Sequence, residues 1–142
     1  MAGIVFYFEN NNIDVYSGRE VDLSAWNHLC KVADIKKAII INRTNQKIIP
    51  FDADMDISIV TERPKLEGNI TQLVIPTERK DGQSLWDFDH KTDWYLVGPS
   101  EGWRGDHIAD NYIYIPQHHL GDAYGLIAAS VVMYDRYRKL WQ

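Results

Sequence analysis

The chain has 142 residues and a net charge of -5, and 45% of its residues are hydrophobic while 25% are charged. This size and composition are typical of one globular domain with a single core, and no apolar run approaches the ~20 residues that a membrane span needs. The acidic balance argues against binding of nucleic acid by bulk electrostatics, and a single cysteine, Cys30, excludes an internal disulfide.

The first third of the chain predicts a strand, a helix and a second strand. Its N-terminus lacks the basic flank and cleavage site of a signal peptide, so we expect a cytoplasmic protein. An apolar run at 3–9 and a β-branched run at 37–42 are typical of buried strands. Between them, a helix is expected with Asp22 or Ser24 as its N-cap. Its helical period predicts the core-facing residues Trp26, Leu29, Cys30 and Ala33.

Short strands dominate the middle of the chain. They are predicted, in order, at 54–62, 70–78, 94–98 and 111–117. The polar segment between the first two leaves room only for an irregular helical turn near 64–69. A second helical turn is expected within 84–93, whose aromatic and acidic residues indicate a packed loop rather than a nucleic-acid platform. Pro116 is expected to end the last strand.

A long helix is predicted at the C-terminus, because nothing breaks the helical pattern between Gly125 and Leu140. Its predicted core-facing stripe consists of Leu126, Ala129, Val132, Met133 and Tyr137. Its charged residues are expected to face solvent or a partner, with the cations suited to the helix dipole. These charged residues are Asp135, Arg136, Arg138 and Lys139.

Alternation of buried strands with helical segments predicts an α/β fold with a mostly parallel sheet flanked by helices. Ligands of such sheets lie at the carboxyl ends of the strands, here the loops after Ile75, Val97 and Ile115. Glycines and prolines in these loops favour close approach of the backbone to a ligand such as an adenine ring. The loop at 98–105, taken alone, also fits a plain surface turn, and it matches no phosphate-binding motif.

Two segments of the second half carry a resemblance. Val97, Gly98, Glu101 and Gly102 match a strand followed by a glycine-rich turn, which Pro99-Ser100 makes one residue longer. An Ile-Pro turn before an alanine-rich helix is matched by Ile115, Pro116, Ala128, Ala129, Tyr134 and Arg138. In these two motifs the sequence from Trp94 onward resembles the SPOUT class of S-adenosylmethionine-dependent RNA methyltransferases, and within it the SpoU/TrmH type. The run at 72–78 fits the preceding strand less specifically.

The resemblance implies a C-terminal deep trefoil knot with S-adenosylmethionine bound inside the knotted loops. It also implies a homodimer and ribose 2′-O-methylation of an RNA such as tRNA or rRNA. From the length we expect a single domain over 1–142, without an appended RNA-binding domain. Tyr134 and Tyr137 would suit the dimer interface, and core packing accounts for them as well. The implied cofactor-binding residues are Ile75, Pro76, Thr77, Val97, Gly98, Pro99, Glu101, Gly102, Ile115, Pro116, Gln117, Leu120 and Tyr124.

The first motif of the family departs here. Where the family has an asparagine and an arginine that helps to activate the ribose hydroxyl, this chain aligns Leu23 and Leu29. Arg19 is the nearest guanidinium that could substitute, and a solvated surface arginine is the alternative reading. Glu101, in the second motif, is the best-placed carboxylate, although it could instead cap or pair within its own turn.

The third motif departs as well, because the family's Ser-Leu-Asn becomes Asp122-Ala123-Tyr124. Asp122 is a candidate general base or the N-cap of the last helix, and Tyr124 a substrate donor or a packing residue. With Arg19 and Glu101 they form the candidate catalytic set. His118 and His119 are adjacent on a loop and lack further ligands at a persuasive spacing, so no metal is expected.

Three hypotheses remain open at the level of the sequence. The first is a minimal dimeric RNA methyltransferase, for which two local basic clusters, at 36–47 and 136–139, leave RNA binding possible despite the acidic charge. The second is a knotted cofactor-binding protein without transferase activity, serving as a sensor, a sequestering protein or an interaction module. The third is an α/β protein with an unrelated role.

Overall fold

A computed structural model of the chain describes residues 2–8, 19–43, 55–74, 81–97, 109–116 and 125–141. The strands are β1 (Gly3–Phe8), β2 (Lys37–Asn42), β3 (Asp56–Val60), β4 (Ile70–Leu73), β5 (Gln83–Ser84), β6 (Trp94–Val97) and β7 (Asn111–Tyr114). The helices are α1 (Arg19–Val32) and α2 (Gly125–Leu140), and a short 3-10 turn covers Leu85–Asp87. The strands form one sheet in the order β3-β2-β1-β6-β4-β7-β5, and all of its pairs are parallel. The predicted α/β fold with a mostly parallel sheet is confirmed.

Both helices pack on the same face of the sheet and form the main core there. Trp26 of α1 is buried and its ring stacks on that of Phe6 in β1, with centroids 4.1 Å apart. Ala129 and Val132 of α2 are buried in the same cluster. The predicted core face of α1 is confirmed: Trp26, Cys30 and Ala33 are buried, and the partly buried Leu29 packs against them. Burial raises the pKa of the Cys30 thiol to about 12, in keeping with a packing role.

The opposite face of the sheet carries a smaller apolar cluster, made of Val5, Tyr7, Ile41 and Leu96. Leu66, from the segment between β3 and β4, packs against it. Gly68 then turns the chain into β4 with a φ of 95°, and a Cβ there would collide with the Asp93 carboxylate. A glycine is therefore required at this turn.

Several predicted elements differ from the structure. Residues 64–69 form no helix, because an extended path is what brings Leu66 onto the sheet. Asp22 and Ser24 are not N-caps, since α1 begins at Arg19 and encloses both. The first turn of α1 is mostly polar and shows no apolar period, so the pattern predicted the start of the helix too late. The strands predicted at 54–62 and 111–117 are shorter, at Asp56–Val60 and Asn111–Tyr114, and β5 was not predicted.

The predicted stripe of α2 is correct in its middle and wrong towards its end. Ala129, Val132 and Met133 are buried as expected, and Leu126 lies outside the described side chains. Tyr137 is 53% exposed, whereas Asp135 and Arg136 are 2% and 9% exposed. Asp135 and Arg136 face inwards because each has a buried polar partner: His90 for Asp135, and the carbonyl oxygen of Ala33 for Arg136.

Candidate functional site

The three loops singled out in the sequence follow three neighbouring strands. β6, β4 and β7 lie side by side in the sheet, and their parallel register pairs Gln72 with Leu96 on one side and with Tyr112 on the other. Since parallel strands end at the same edge, the loops after 74, 97 and 116 leave the sheet together, within about 10 Å. The strand order changes direction between β1 and β6: β2 and β3 lie on the β1 side, and the later strands lie on the β6 side. Open α/β sheets bind ligands at such a point.

The described part of this edge is apolar. Val97 is buried at the end of β6, and Ile115 packs partly buried against the main core after β7. Pro116 is half-buried beside it. The other predicted cofactor-binding residues lie outside the described residues, namely Ile75, Pro76, Thr77, Gly98, Pro99, Glu101, Gly102, Gln117, Leu120 and Tyr124. The structure thus brings their strands together without describing the residues themselves.

Of the four candidate catalytic residues, only the backbone of Arg19 is described; Glu101, Asp122 and Tyr124 lie outside the described residues. Arg19 is the first residue of α1. Because β1 and β2 are parallel, the helix between them must start on the side of the carboxyl ends, so the backbone of Arg19 lies on the side of the candidate site. Leu29, which the sequence aligned with the family's arginine, lies about 15 Å further along the helix.

Among the residues that the structure describes, which leave out Lys47, the two basic clusters of the sequence do not form basic patches. Lys37 is the first residue of β2 and Arg43 follows its last residue, so the two cations lie at opposite ends of the strand. Arg43 lies over the ring of Tyr7 at 5.1 Å and pairs with Glu62, with 3.6 Å between Nη2 and Oε2. At the C-terminal end of α2, Arg136 is buried. These cations therefore offer no continuous surface for phosphate.

A buried triad, Tyr95–His90–Asp135, lies at the amino side of the sheet and was not anticipated from the sequence. Nδ1 of His90 is 2.7 Å from the Tyr95 hydroxyl, and its Nε2 is 2.7 Å from Oδ2 of Asp135. A carboxylate only accepts hydrogen bonds, so Nε2 carries the hydrogen and Nδ1 accepts from the Tyr95 O–H. His90 itself has a left-handed φ of 61°. In the loop at 86–94 that was predicted to be packed, Phe88 and His90 are buried, whereas Trp86 is 56% exposed.

Cations of α2 surround the triad. Nζ of Lys139 lies 2.8 Å from Oδ2 of Asp135 and donates to the carbonyl oxygens of Leu85, Trp86 and Phe88 at 2.7, 3.1 and 2.8 Å. Arg138 donates to the other carboxylate oxygen of Asp135 at 3.1 Å. Arg136 donates from Nη1 to the carbonyl oxygen at the end of α1, that of Ala33, at 2.9 Å. The last turns of α2 are thereby fixed to α1 and to the loop before β6.

The triad holds a neutral histidine beside an ionised aspartate. Burial lowers the pKa of His90 from its ordinary 6.5, and although Asp135 opposes this shift, Lys139 and Arg136 act with burial. Burial raises the pKa of Asp135, but hydrogen bonds from Lys139, His90 and Arg138 outweigh it and bring the pKa below 3.8. Burial also raises the pKa of Tyr95, so its hydroxyl keeps its proton.

An apolar groove of about 500 Å³ runs between α1 and α2 on their outer side. Its apolar lining consists of Leu29, Val32, Ala33, Met133, Tyr134 and Tyr137. Val32 and Tyr134 are 63% and 68% exposed, which is unusual for large apolar side chains that lie together.

Neither helix in the described part of the chain combines the length and apolar character needed to cross a membrane. Within the same described residues, no cluster of three or more histidine, cysteine, aspartate or glutamate side chains is arranged to hold a metal ion.

No protein-family model and no curated protein matches the sequence. Solved structures do match the fold. A structure that concerns 2-OH methylation of C/U34 on tRNA is similar with a TM-score of 0.69 and 12% identity, over 100% of this chain and 92% of that one. The SpoU methyltransferase AviRb from Streptomyces viridochromogenes is similar with a TM-score of 0.65 and 11% identity, over 98% of this chain and 59% of that one.

An AdoMet-bound rRNA methyltransferase from Sinorhizobium meliloti is similar with a TM-score of 0.62 and 12% identity, over 98% of this chain. The chain spans 56% of the length of that protein, so the likeness concerns one part of a longer molecule. The resemblance inferred from the two motifs is confirmed at the level of the fold. The chain has the fold of the SpoU-class RNA methyltransferases.

Proposed function

We propose that the chain is an S-adenosylmethionine-dependent methyltransferase that acts on a ribose 2′-hydroxyl of an RNA such as tRNA or rRNA. The observation that carries the proposal is the likeness of nearly the whole chain to SpoU-class structures, one of them bound to AdoMet. In support of the proposal, the two motifs of the sequence lie at the ends of β6 and β7 in the chain. A cytoplasmic location follows from the proposed substrate class.

In this proposal the loops after β4, β6 and β7 hold the cofactor. Backbone groups at 98–102 and 115–117 would bind the adenine, and the apolar Val97 and Ile115 would floor the site. The strand order supports a trefoil knot in this region, because β6 returns between β1 and β4, and β7 then enters between β4 and β5.

The proposed chemistry asks little of the side chains. The sulfonium of the cofactor supplies an activated methyl group, so correct positioning of the ribose hydroxyl provides much of the acceleration. One group has to take the hydroxyl proton. Glu101 and Asp122 are the candidate bases, while Arg19 and Tyr124 would orient the hydroxyl or stabilise its oxygen.

The altered first and third motifs favour a second candidate function. A chain with leucine in place of the family's arginine and with Asp122-Ala123-Tyr124 in place of Ser-Leu-Asn could bind the cofactor without transferring its methyl group. It would then serve as a sensor, a sequestering protein or an interaction module. The net charge of -5 also weakens the case for RNA.

Calorimetric titration with S-adenosylmethionine and S-adenosylhomocysteine tests both candidates, and we expect one cofactor to bind per chain. Labelled cofactor and total RNA then separate them. For the enzyme, Glu101→Ala is expected to lower methyl incorporation by about a hundredfold or more, as is usual for loss of a general base. Arg19→Ala should lower it by a similar factor, because it removes a group that would stabilise the developing charge on the oxygen.

Lys65→Ala and Glu67→Ala serve as matched controls, because both side chains are exposed on the segment that leads to the amino end of β4. They should retain wild-type incorporation. Cofactor binding without any methyl transfer would favour the second candidate. Failure of both ligands to bind would reject both.

We further propose that the chain forms a homodimer through the groove between α1 and α2. The resemblance implies a dimer, and the exposed Val32, Tyr134 and Tyr137 provide the contiguous apolar surface that a subunit interface requires. A two-fold axis would bring the same groove of a second copy against it, so that each side chain contributes twice.

Tyr134→Glu is expected to raise the dimer dissociation constant by about a hundredfold or more, because it buries two unpaired carboxylates in one interface. Sedimentation equilibrium measures this constant. Trp86→Glu is the matched control, since Trp86 is also exposed, at 56%, but lies outside the groove. A wild-type chain that stays monomeric at high micromolar concentration would contradict the proposed interface.

A further inference from the structure

The buried triad fixes the C-terminal half of α2, while the N-terminal end of the same helix adjoins the candidate site. The helix follows β7, so it starts at the carboxyl edge of the sheet and runs back towards the amino edge. There Asp135 contacts His90, and Lys139 contacts the loop before β6. One end of α2 therefore adjoins the candidate site, and the other end contacts the buried triad.

We infer that the buried triad is an acid-sensitive lock: a proton added to His90 weakens the attachment of α2 to the sheet. In the neutral state each polar atom has a complementary partner, since the Tyr95 hydroxyl donates to Nδ1 and Nε2–H donates to Asp135. A proton on Nδ1 would make this atom a donor, so that two donors, Nδ1–H and the Tyr95 O–H, would face each other. The Tyr95 hydrogen would then have to turn away inside the core, where lost hydrogen bonds are costly.

The cations around His90 act in the same direction, whereas Asp135 opposes them. Asp135 is the one buried carboxylate among the described residues, and Arg138 and Lys139 already neutralise it at 3.1 and 2.8 Å. Arg136 adds a further cation from α2. The side chain of Asp89, in the loop before β6, is 62% exposed and well screened. Protonated His90 would therefore add a positive charge to a cluster that is already cationic.

The apolar surroundings of His90 further raise the free energy of its protonated form. The His90 side chain is 0% exposed, and the edge of the Phe88 ring lies against it with centroids 4.8 Å apart. Both effects lower the pKa of His90 in the folded protein. The unfolded chain then takes up a proton at pH values where the folded chain does not, so the lock is strongest above pH 6.5 and weakens as the pH falls below it.

The lock also has a consequence for ligand binding, and this part rests on the proposed function. Residues 117–124, which include proposed cofactor contacts, lead directly into α2. A proton on His90 would weaken the attachment of the helix that these residues precede in the chain. We therefore expect cofactor affinity to fall with the strength of the lock, although no member of the triad touches the cofactor.

Hydrogen exchange of the α2 amides, followed by mass spectrometry at pH 7.5 and 5.5, tests the lock without any ligand. His90→Asn provides the reference, because asparagine does not titrate and tolerates the left-handed φ at this position. After division by the exchange of the variant at each pH, the opening constant of wild-type α2 should rise between pH 7.5 and 5.5, by at most about tenfold because the ordinary pKa of histidine is 6.5. His28→Asn, the same change at an exposed histidine of α1, should keep the full wild-type rise.

An equal pH dependence in the wild type and His90→Asn would overturn the lock. Should the variant fail to fold, NMR titration of His90 in the wild type decides the matter, because a pKa at or above 6.5 would also overturn it. In a second arm, the Kd of S-adenosylhomocysteine is measured at both pH values. Loss of binding at every pH would reject the proposed function and leave the exchange result standing, whereas pH-independent binding would reject only the coupling.

Discussion

Asp135→Asn is expected to destabilise the fold by about 3 kcal/mol at neutral pH, which is typical of removing one partner from a buried charged network. The Asp135 side chain is 3% exposed and accepts hydrogen bonds from His90, Arg138 and Lys139. An amide keeps the shape of the carboxylate but replaces one acceptor oxygen with a donor. That donor would face other donors, and the cation of Lys139 would lose its counter-charge. Urea denaturation measures the loss.

Asp87→Asn is the matched control, since it makes the same chemical change at an exposed position of the 3-10 turn. We expect it to change stability by less than about 0.5 kcal/mol. The difference between wild type and Asp135→Asn should persist above pH 3.8 and disappear as the pH falls through the lower pKa of the folded protein. Equal stability of Asp87→Asn and Asp135→Asn would show that the network contributes nothing.

Trp26→Ala is expected to cost about 3–5 kcal/mol, the usual range for removing a buried aromatic ring. The ring is 4% exposed and stacks on Phe6, so it is the main contact through which α1 is held on β1. Such a loss is a large part of the total stability of an ordinary domain. The variant should unfold at a clearly lower urea concentration with little change in slope.

Trp86→Ala provides the comparison for Trp26→Ala. Trp86 is 56% exposed and leaves no internal cavity when truncated, so we expect a cost below about 1 kcal/mol. If the two truncations were equally destabilising, the packing of α1 on the sheet would not be the source of the effect.

The more buried strands, such as β2 and β6, were predictable because they are continuous apolar runs in the sequence. The run at 37–42 gives β2 without error, since a β-branched stretch of this length suits a strand in the middle of a parallel sheet. The segment at 64–69 was predicted wrongly because its path is dictated by a tertiary contact, that of Leu66 with the second face. No local pattern reports such a contact. The order of the strands is equally a matter of long-range pairing.

The candidate site was predictable only in part. Spacing and turn residues indicated three loops, and the sheet shows their strands to be neighbours. The buried triad was missed because its members lie far apart in sequence, with Asp135 45 residues from His90. One signal was nevertheless present: Ala129, Val132, Met133 and Arg136 follow a strict helical period. Because Arg136 is charged, the apolar pattern did not indicate that the buried stripe of α2 includes this residue.

The place of β6 in the sheet sets the order in which a nascent chain can assemble. β1, β2 and β3 pair with one another as soon as they leave the ribosome, whereas both partners of β4 come later in the chain. Until residues 94–97 emerge, β4 has an unpaired edge of the kind that invites aggregation. β6 then joins the early half of the sheet to the late half. Translation at about 5–20 residues per second limits this vulnerable interval to a few seconds, and its length depends on how quickly translation proceeds from β4 to β6.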